Sequence, residues 1–224
     1  MTYFVLGGSP CSGKSSIASS LTRSYGLELY ACDAFETPHV QRSSFEAQPT
    51  LHSARALNFG QHFMRDPEDL LEFNFNFYRE EWTFILEDLN NKTGLVLLEG
   101  AACMPELVPL EWPAVWLVPS PEFQRYHYAQ RPWIQSVLEG TANPERAFDH
   151  WMARDELFAQ HVIKVCQRLN RPFIVVDGSQ TLEQTLEWTR KALNLSLLPR
   201  VDFSGPSCSG YEGPDREQDM EDLA

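Results

Sequence analysis

Apolar residues in this chain fall into two recurring patterns. Short unbroken runs, Tyr3-Phe4-Val5-Leu6, Leu95-Val96-Leu97-Leu98, Ala114-Val115-Trp116-Leu117-Val118 and Phe173-Ile174-Val175-Val176, end in turn or polar residues. They predict strands, and the runs with no polar interruption are of the kind buried on both faces of a parallel sheet. A further run, from Leu27 to Cys32, ends at Asp33 and predicts another strand. Between the runs the apolar positions recur every three or four residues: Ile17, Ala18 and Leu21 before Tyr25-Gly26; Leu71, Phe75, Tyr78, Trp82, Ile85 and Leu89; Phe148, Trp151, Met152, Phe158, Val162, Val165 and Leu169; and residues 182–195. That spacing predicts amphipathic helices. Asp66-Pro67-Glu68-Asp69, Ser120-Pro121-Glu122 and Asn143-Pro144-Glu145 each place a capping residue before a proline and an acid, which is how a helix begins. The polar stretch from Asp33 to about Leu51 reads as loop with short helical pieces. Strands alternating with helices predict an α/β sandwich whose parallel strands are joined by right-handed crossovers.

Composition narrows the class. A chain of 224 residues with 43% hydrophobic and 22% charged residues is neither a collagen, a coiled coil nor a wholly disordered polymer, and its length suits one domain. The longest near-apolar run, residues 93–103, contains Glu99 and falls short of the roughly 20 residues that span a bilayer, so no membrane helix is expected. Met1-Thr2-Tyr3 leads straight into the first strand without a signal-peptide pattern, which points to the cytoplasm. A formal net charge of −13 repels polyanions and argues against a duplex nucleic-acid partner, but leaves room for a compact basic site that takes one small phosphate. The cysteines, Cys11, Cys32, Cys103, Cys166 and Cys208, are odd in number and lack CxxC or zinc spacing, so they read as reduced thiols. From residue 200 onward, seven acidic residues against two arginines, with Gly-Pro pairs and few large apolar groups, predict a flexible acidic tail. The compact domain is therefore expected over residues 1–199.

One motif carries chemistry. Gly8-Ser9-Pro10-Cys11-Ser12-Gly13-Lys14-Ser15, followed by Ser16, fits G-x-x-x-x-G-K-[ST] with a strand before it and a helix after it. The glycines let backbone N–H groups turn inward around a phosphate, and the helix N-terminus adds positive potential. Lys14 can reach the outer phosphates and Ser15 can offer its hydroxyl to magnesium.

With this motif in this setting the chain resembles the P-loop kinases, and within them the small-molecule and nucleoside monophosphate kinases. The resemblance covers most of residues 2–195 in the order of elements. It implies a P-loop NTPase type of three-layer sandwich, with a five-stranded parallel sheet in order 2-3-1-4-5, and transfer of the γ-phosphoryl group of Mg–ATP to a hydroxyl or phosphate of a small molecule. It also implies an acceptor-binding helical region, here about residues 34–92, and a lid at about residues 120–150. Asp33, just after the second strand, resembles the Asp that positions or deprotonates the acceptor hydroxyl in gluconate, shikimate, adenylylsulfate and chloramphenicol kinases. Glu99-Gly100 ends the third strand where such kinases carry an acid that meets magnesium or the acceptor; an Asp is more usual there. Arg125 and Arg131 lie where the lid begins, and Arg131-Pro132 is similar to the start of a shikimate kinase lid. Arg154 on the next helix is a further cation for the transferring group. Arg42 and Arg55 are the expected acceptor contacts in the inserted region. Val176-Asp177-Gly178-Ser179 sits where relatives wrap adenine.

Two other readings stay open on sequence alone: an ATP-binding regulatory switch with little turnover, and a nucleic-acid end kinase, against which the charge weighs. The acceptor's identity and the oligomeric state, a homodimer among the options, are also open.

Overall fold

In the computed structural model, residues 2–201 are described. The chain runs β1 (Thr2–Gly8), α1 (Lys14–Tyr25), β2 (Glu28–Ala31), α2 (Glu36–Arg42), α3 (Pro49–Ser53), α4 (Phe59–His62), α5 (Pro67–Leu89), β3 (Leu95–Glu99), β4 (Ala114–Pro119), α6 (Pro121–Ala129), α7 (Pro132–Glu139), α8 (Pro144–Leu169), β5 (Phe173–Val176) and α9 (Leu182–Ala192). All strand pairs are parallel and their order is β2-β3-β1-β4-β5, as the resemblance implied.

Period-two alternation in the three central strands builds two cores, one on each face of the sheet. Val5, Val96, Leu98, Trp116 and Val118 face α5 and α8, where they meet Trp82, Ile85, Leu89, Phe158 and Val162. Phe4, Leu6, Leu97, Val115 and Leu117 face the opposite way, onto Ile17, Ala18, Leu21 and Tyr25 of α1. Because β1, β3 and β4 are covered on both sides, their sequences are unbroken apolar runs, and both edge strands are less buried. The sandwich brings the carboxyl ends of β1, β2 and β3 together at one edge, where open α/β sheets bind ligands.

The polar stretch after β2 is more ordered than a loop. A 3-10 turn at Cys32–Phe35 leads into α2, and α3 and α4 follow. What holds α2 down is a buried ionic cluster with no counterpart in the hydrophobic pattern. His39 is fully buried, with Nδ1 3.2 Å from Glu81 Oε1 and Nε2 2.9 Å from Asp88 Oδ2; Tyr30 donates its hydroxyl to the same Asp88 oxygen at 2.9 Å. Both ring nitrogens face carboxyl groups, an arrangement that favours the protonated ring. Burial by itself would lower the His39 imidazole, but the bonds to Glu81 and Asp88 together outweigh it and raise it above its ordinary value. Asp88 is held below the usual carboxylate range: its burial is outweighed by donation from His39, Tyr30 and Arg42. Glu81 is pushed up by burial against the pull of His39.

The signs follow from linkage. The His39 contribution is complete below its ordinary value and lost as pH rises through the raised value in the fold. The Asp88 contribution is present above the ordinary aspartate value and lost as pH falls through its lowered one. α2 is therefore held most firmly in mildly acidic solution. His39→Leu leaves Glu81 buried without its partner and is expected to cost about 3–5 kcal/mol, lowering the melting temperature by roughly 10 °C. Melting curves from pH 6 to pH 9 should fall less steeply for the variant than for the parent; equal slopes would remove His39 as the titrating group.

Among the described residues no helix is long and apolar enough to cross a membrane. The acidic segment read from residue 200 onward lies, from residue 202, outside the described residues. Val201 donates its backbone N–H to the Ser24 carbonyl at 3.0 Å, so the chain is still docked on α1 at that point.

Candidate functional site

β1 ends and α1 begins around one tight loop. Gly8 has φ 119°, Cys11 φ 63° and Gly13 φ 81°, and Gly13 forms the N-cap of α1. A side chain at Gly8 would fall 2.0 Å from the Leu117 carbonyl oxygen of β4, so only glycine lets the loop leave the sheet here. Ser9 is fully buried beneath the loop, and its carbonyl accepts from Ser12 Oγ at 2.9 Å and from Lys14 Nζ at 2.8 Å. Gln124 of α6 closes the far side by donating Nε2 to the Pro10 carbonyl at 3.0 Å. The first N–H groups of α1 have no partner within the helix and stand beside the Lys14 ammonium, a ready anion site.

A cavity of about 390 Å3 opens above this loop. Residues Pro10 to Ser16 form one wall, and Asp33 and Glu99 enter from the ends of β2 and β3. Ser15 Oγ donates to Glu99 Oε1 at 3.4 Å, which places a hydroxyl and a carboxylate side by side next to the loop lysine. Two hard oxygen donors suit magnesium, which keeps several waters and needs only one or two protein ligands beside phosphates. No group of three or more His, Cys, Asp or Glu residues suited to a metal ion occurs among the described residues, so the donor set does not suggest a zinc-type cage.

Gly100 does not line the cavity, but its lack of a side chain positions what does. A Cβ there would lie 2.8 Å from Cys32 Cβ and 3.6 Å from Asp33 Oδ1. Gly100→Ala is therefore expected to displace the Cys32-Asp33 step, costing about 1–3 kcal/mol from overpacking. A thermal melt checks this, and unchanged stability would mean that the step absorbs a methyl group. Behind the same step, Cys32 and Cys103 place their sulfurs 3.6 Å apart, both buried; the shared hydrogen bond and then burial raise the Cys32 thiol well above its ordinary value. Among the described residues, Cys32, Cys103 and Cys166 lie outside any disulfide.

Of the arginines singled out in the sequence, the structure brings Arg131 and Arg154 to the cavity. Arg131 lies over the rings of Tyr128 and Trp133, at 5.1 and 5.8 Å from their centroids, and Arg154 is buried with Nε 2.5 Å from Asp155 Oδ1. Arg125 is not brought there: it pairs with Asp149 on α8 at 2.5 Å in an exposed position. Arg42 and Arg55 are also elsewhere. Arg42 bridges Glu87 at 2.8 Å and Asp88 at 3.0 Å on α5, and Arg55 is consumed by the carbonyls of Val40, Gln41 and Ser43, which tie α2 to the turn after α3. Both are better explained as braces of the wall than as contacts within it. Glu36, Thr37, Asn74 and Trp151 line the cavity without having been singled out in the sequence for a role there. For Glu36 and Thr37 a signal exists, since they follow Asp33 by one helical turn.

A parallel sheet in order 2-3-1-4-5, a glycine loop running from its central strand into a helix, and a carboxylate closing the adjacent strand together decide the fold. The chain has a P-loop kinase-like fold. No family model matches the sequence, and no curated protein matches it. Solved structures similar to this P-loop kinase-like chain include shikimate kinase from Bacteroides thetaiotaomicron, 14% identical, covering 88% of this chain and 98% of that one at a TM-score of 0.48. Shikimate kinase from Aquifex aeolicus is 16% identical over 87% and 98% of the two chains at 0.45. Deoxyadenosine kinase from M. mycoides with bound dATP is 14% identical over 86% and 100% at 0.47.

Proposed function

We propose that the protein is a small-molecule kinase that moves the γ-phosphoryl group of ATP to an acceptor hydroxyl. The observation that carries this reading is the convergence, on one cavity, of the Lys14 loop, the Ser15–Glu99 pair and the Asp33 carboxylate. In this reading the residues from Pro10 to Ser16 hold the nucleotide phosphates through backbone N–H groups, as a glycine loop at a helix N-terminus does. Lys14 exchanges its bond to the Ser9 carbonyl for the outer phosphates. Phosphoryl transfer needs positioning and charge neutralisation more than covalent chemistry, and Lys14 with Arg131 supplies fixed positive charge at the transferring group.

Asp33 is exposed to the cavity on a short turn that Gly100 and Cys32 fix from behind. Its carboxylate aligns the acceptor hydroxyl and takes its proton as the new O–P bond forms and the bond from the γ-phosphorus to the bridging oxygen of ADP breaks. Ser15 and Glu99 would hold magnesium, which when bound neutralises phosphate charge.

The test is product-based. Purified protein and its Lys14→Ala variant are incubated with Mg–ATP and a metabolite extract, and phosphorylated products are sought by mass spectrometry. A product made by the parent and not by the variant supports the kinase. Absence of Mg–ATP binding to the parent in a calorimetric titration overturns it.

A further inference from the structure

The glycine loop is gripped by a side chain that lies far from it in sequence. Gln124 of α6 is 2% exposed and donates Nε2 to the Pro10 carbonyl at 3.0 Å. The Pro10–Cys11 peptide is trans and planar, so a C=O held toward α6 turns the Cys11 N–H the opposite way. Cys11 lines the cavity and Gln124 does not. Ser9 spends its own N–H on the Leu117 carbonyl of β4 at 3.2 Å, and Pro10 has none. Cys11 therefore supplies the first N–H that the loop after Ser9 can turn to an anion, and Gln124 holds the peptide that carries it.

That orientation needs holding. Cys11 has φ 63°, in the left-handed region that side-chain-bearing residues avoid, and a residue kept there persists because its surroundings fix it. The bonds from Ser12 Oγ and Lys14 Nζ both end on the Ser9 carbonyl, whose peptide has no N–H to aim. The Lys14 bond is also the one given up when the ammonium turns to a phosphate, whereas the Gln124 bond does not depend on that exchange. α6 is a firm base for the grip: Ser120 caps it by accepting the Phe123 N–H at 3.3 Å, the Gln124 N–H bonds to the Ser120 carbonyl at 2.9 Å, and Tyr128, one turn on, is buried.

We infer that Gln124 is a positioning residue for the nucleotide phosphates: by holding the Pro10 carbonyl it keeps the strained Cys11 peptide turned with its N–H toward the bound anion. The inference rests on the kinase reading above, which seats the phosphates in this loop.

Mg–tripolyphosphate, which reads the loop without a base or sugar, and Mg–ADP test it. Each is titrated calorimetrically into the full chain and its variants at pH 8, at a temperature where circular dichroism shows the variant folded. Gln124→Met keeps the size but has no N–H, and should bind both probes about tenfold more weakly, the scale of one hydrogen bond. Gln124→Glu keeps the shape and donates nothing as a carboxylate; it should weaken binding at least as much, and it carries the test if Gln124→Met does not fold. Adding Cys11→Gly to either variant should recover about threefold, because glycine enters the left-handed region without strain. A glutamine that only filled space would show no such rescue. Binding by the Gln124 variants within twofold of the parent, or double variants no tighter than the single ones, overturns the inference while the kinase reading stands. No binding of either probe to the parent sinks the kinase reading, and this inference with it.

Discussion

Replacing Lys14 by alanine is expected to reduce phosphoryl transfer by about 100- to 1000-fold, the scale seen when one preorganised donor to a developing charge is removed. Lys14 is 7% exposed and its ammonium is already folded over the loop, 2.8 Å from the Ser9 carbonyl. The charge therefore needs only a local change of partner to meet a phosphate. Removing it also takes away a charge-assisted hydrogen bond of about 1.5–3 kcal/mol, so Mg–ATP should bind about 10- to 100-fold more weakly. The fold should notice little, because the loop keeps its glycines, the Ser12 bond to Ser9 and the Gln124 bond to Pro10. A melting temperature within a few degrees of the parent is the control. Lys14→Arg should not restore activity, since a forked, longer guanidinium does not replace a point charge on a short reach. Turnover and calorimetric affinity that match the parent would remove the phosphate loop from the mechanism.

Asp33→Asn separates acceptor chemistry from nucleotide binding. The substitution keeps size and hydrogen-bonding reach but cannot take a proton, so transfer should fall by about 100- to 10,000-fold, the range of general acid–base catalysis. Mg–ATP affinity should hold, because Asp33 sits at the end of β2 and not in the loop between β1 and α1. A pH–rate profile gives the sharper readout: the rise in rate on the acidic side, which reports ionisation of an essential base, should flatten in the variant. A variant with normal turnover, or one that loses ATP and transfer together, would make Asp33 a residue of the wall and not the base.

Much of the candidate site's geometry was legible because it is local. The loop from Gly8 to Ser15 is a contiguous motif whose backbone angles and helix cap follow from the positions of its glycines, and the structure forms it between the strand and helix the pattern predicted. Asp33 and Glu99 were legible for a similar reason: each follows directly on a predicted strand, and parallel strands of one sheet deliver their carboxyl ends to one edge. Arg42, Arg55 and Arg125 were not legible, although Arg131 and Arg154 do line the cavity, because a long flexible cation finds its partner through contacts distant in sequence. Arg42 meets residues on α5, Arg55 meets carbonyls on α2 and beyond, and Arg125 meets α8. The buried cluster of His39, Glu81 and Asp88 left one trace, since Glu81 sits four residues from both Phe77 and Ile85, on the buried stripe of α5. An acid on that stripe signals a buried partner, but nothing local names it.

By itself, the sequence determined the alternation of strands and helices, the glycine loop between β1 and α1, and the two carboxylates at the sheet edge. Each of these depends on spacing within a few residues, which backbone sterics and hydrophobic periodicity translate directly into structure. Only the tertiary structure decided which cations reach the cavity and which rings surround them, because burial and ion pairing depend on segments brought together after α2, α5 and α8 have packed.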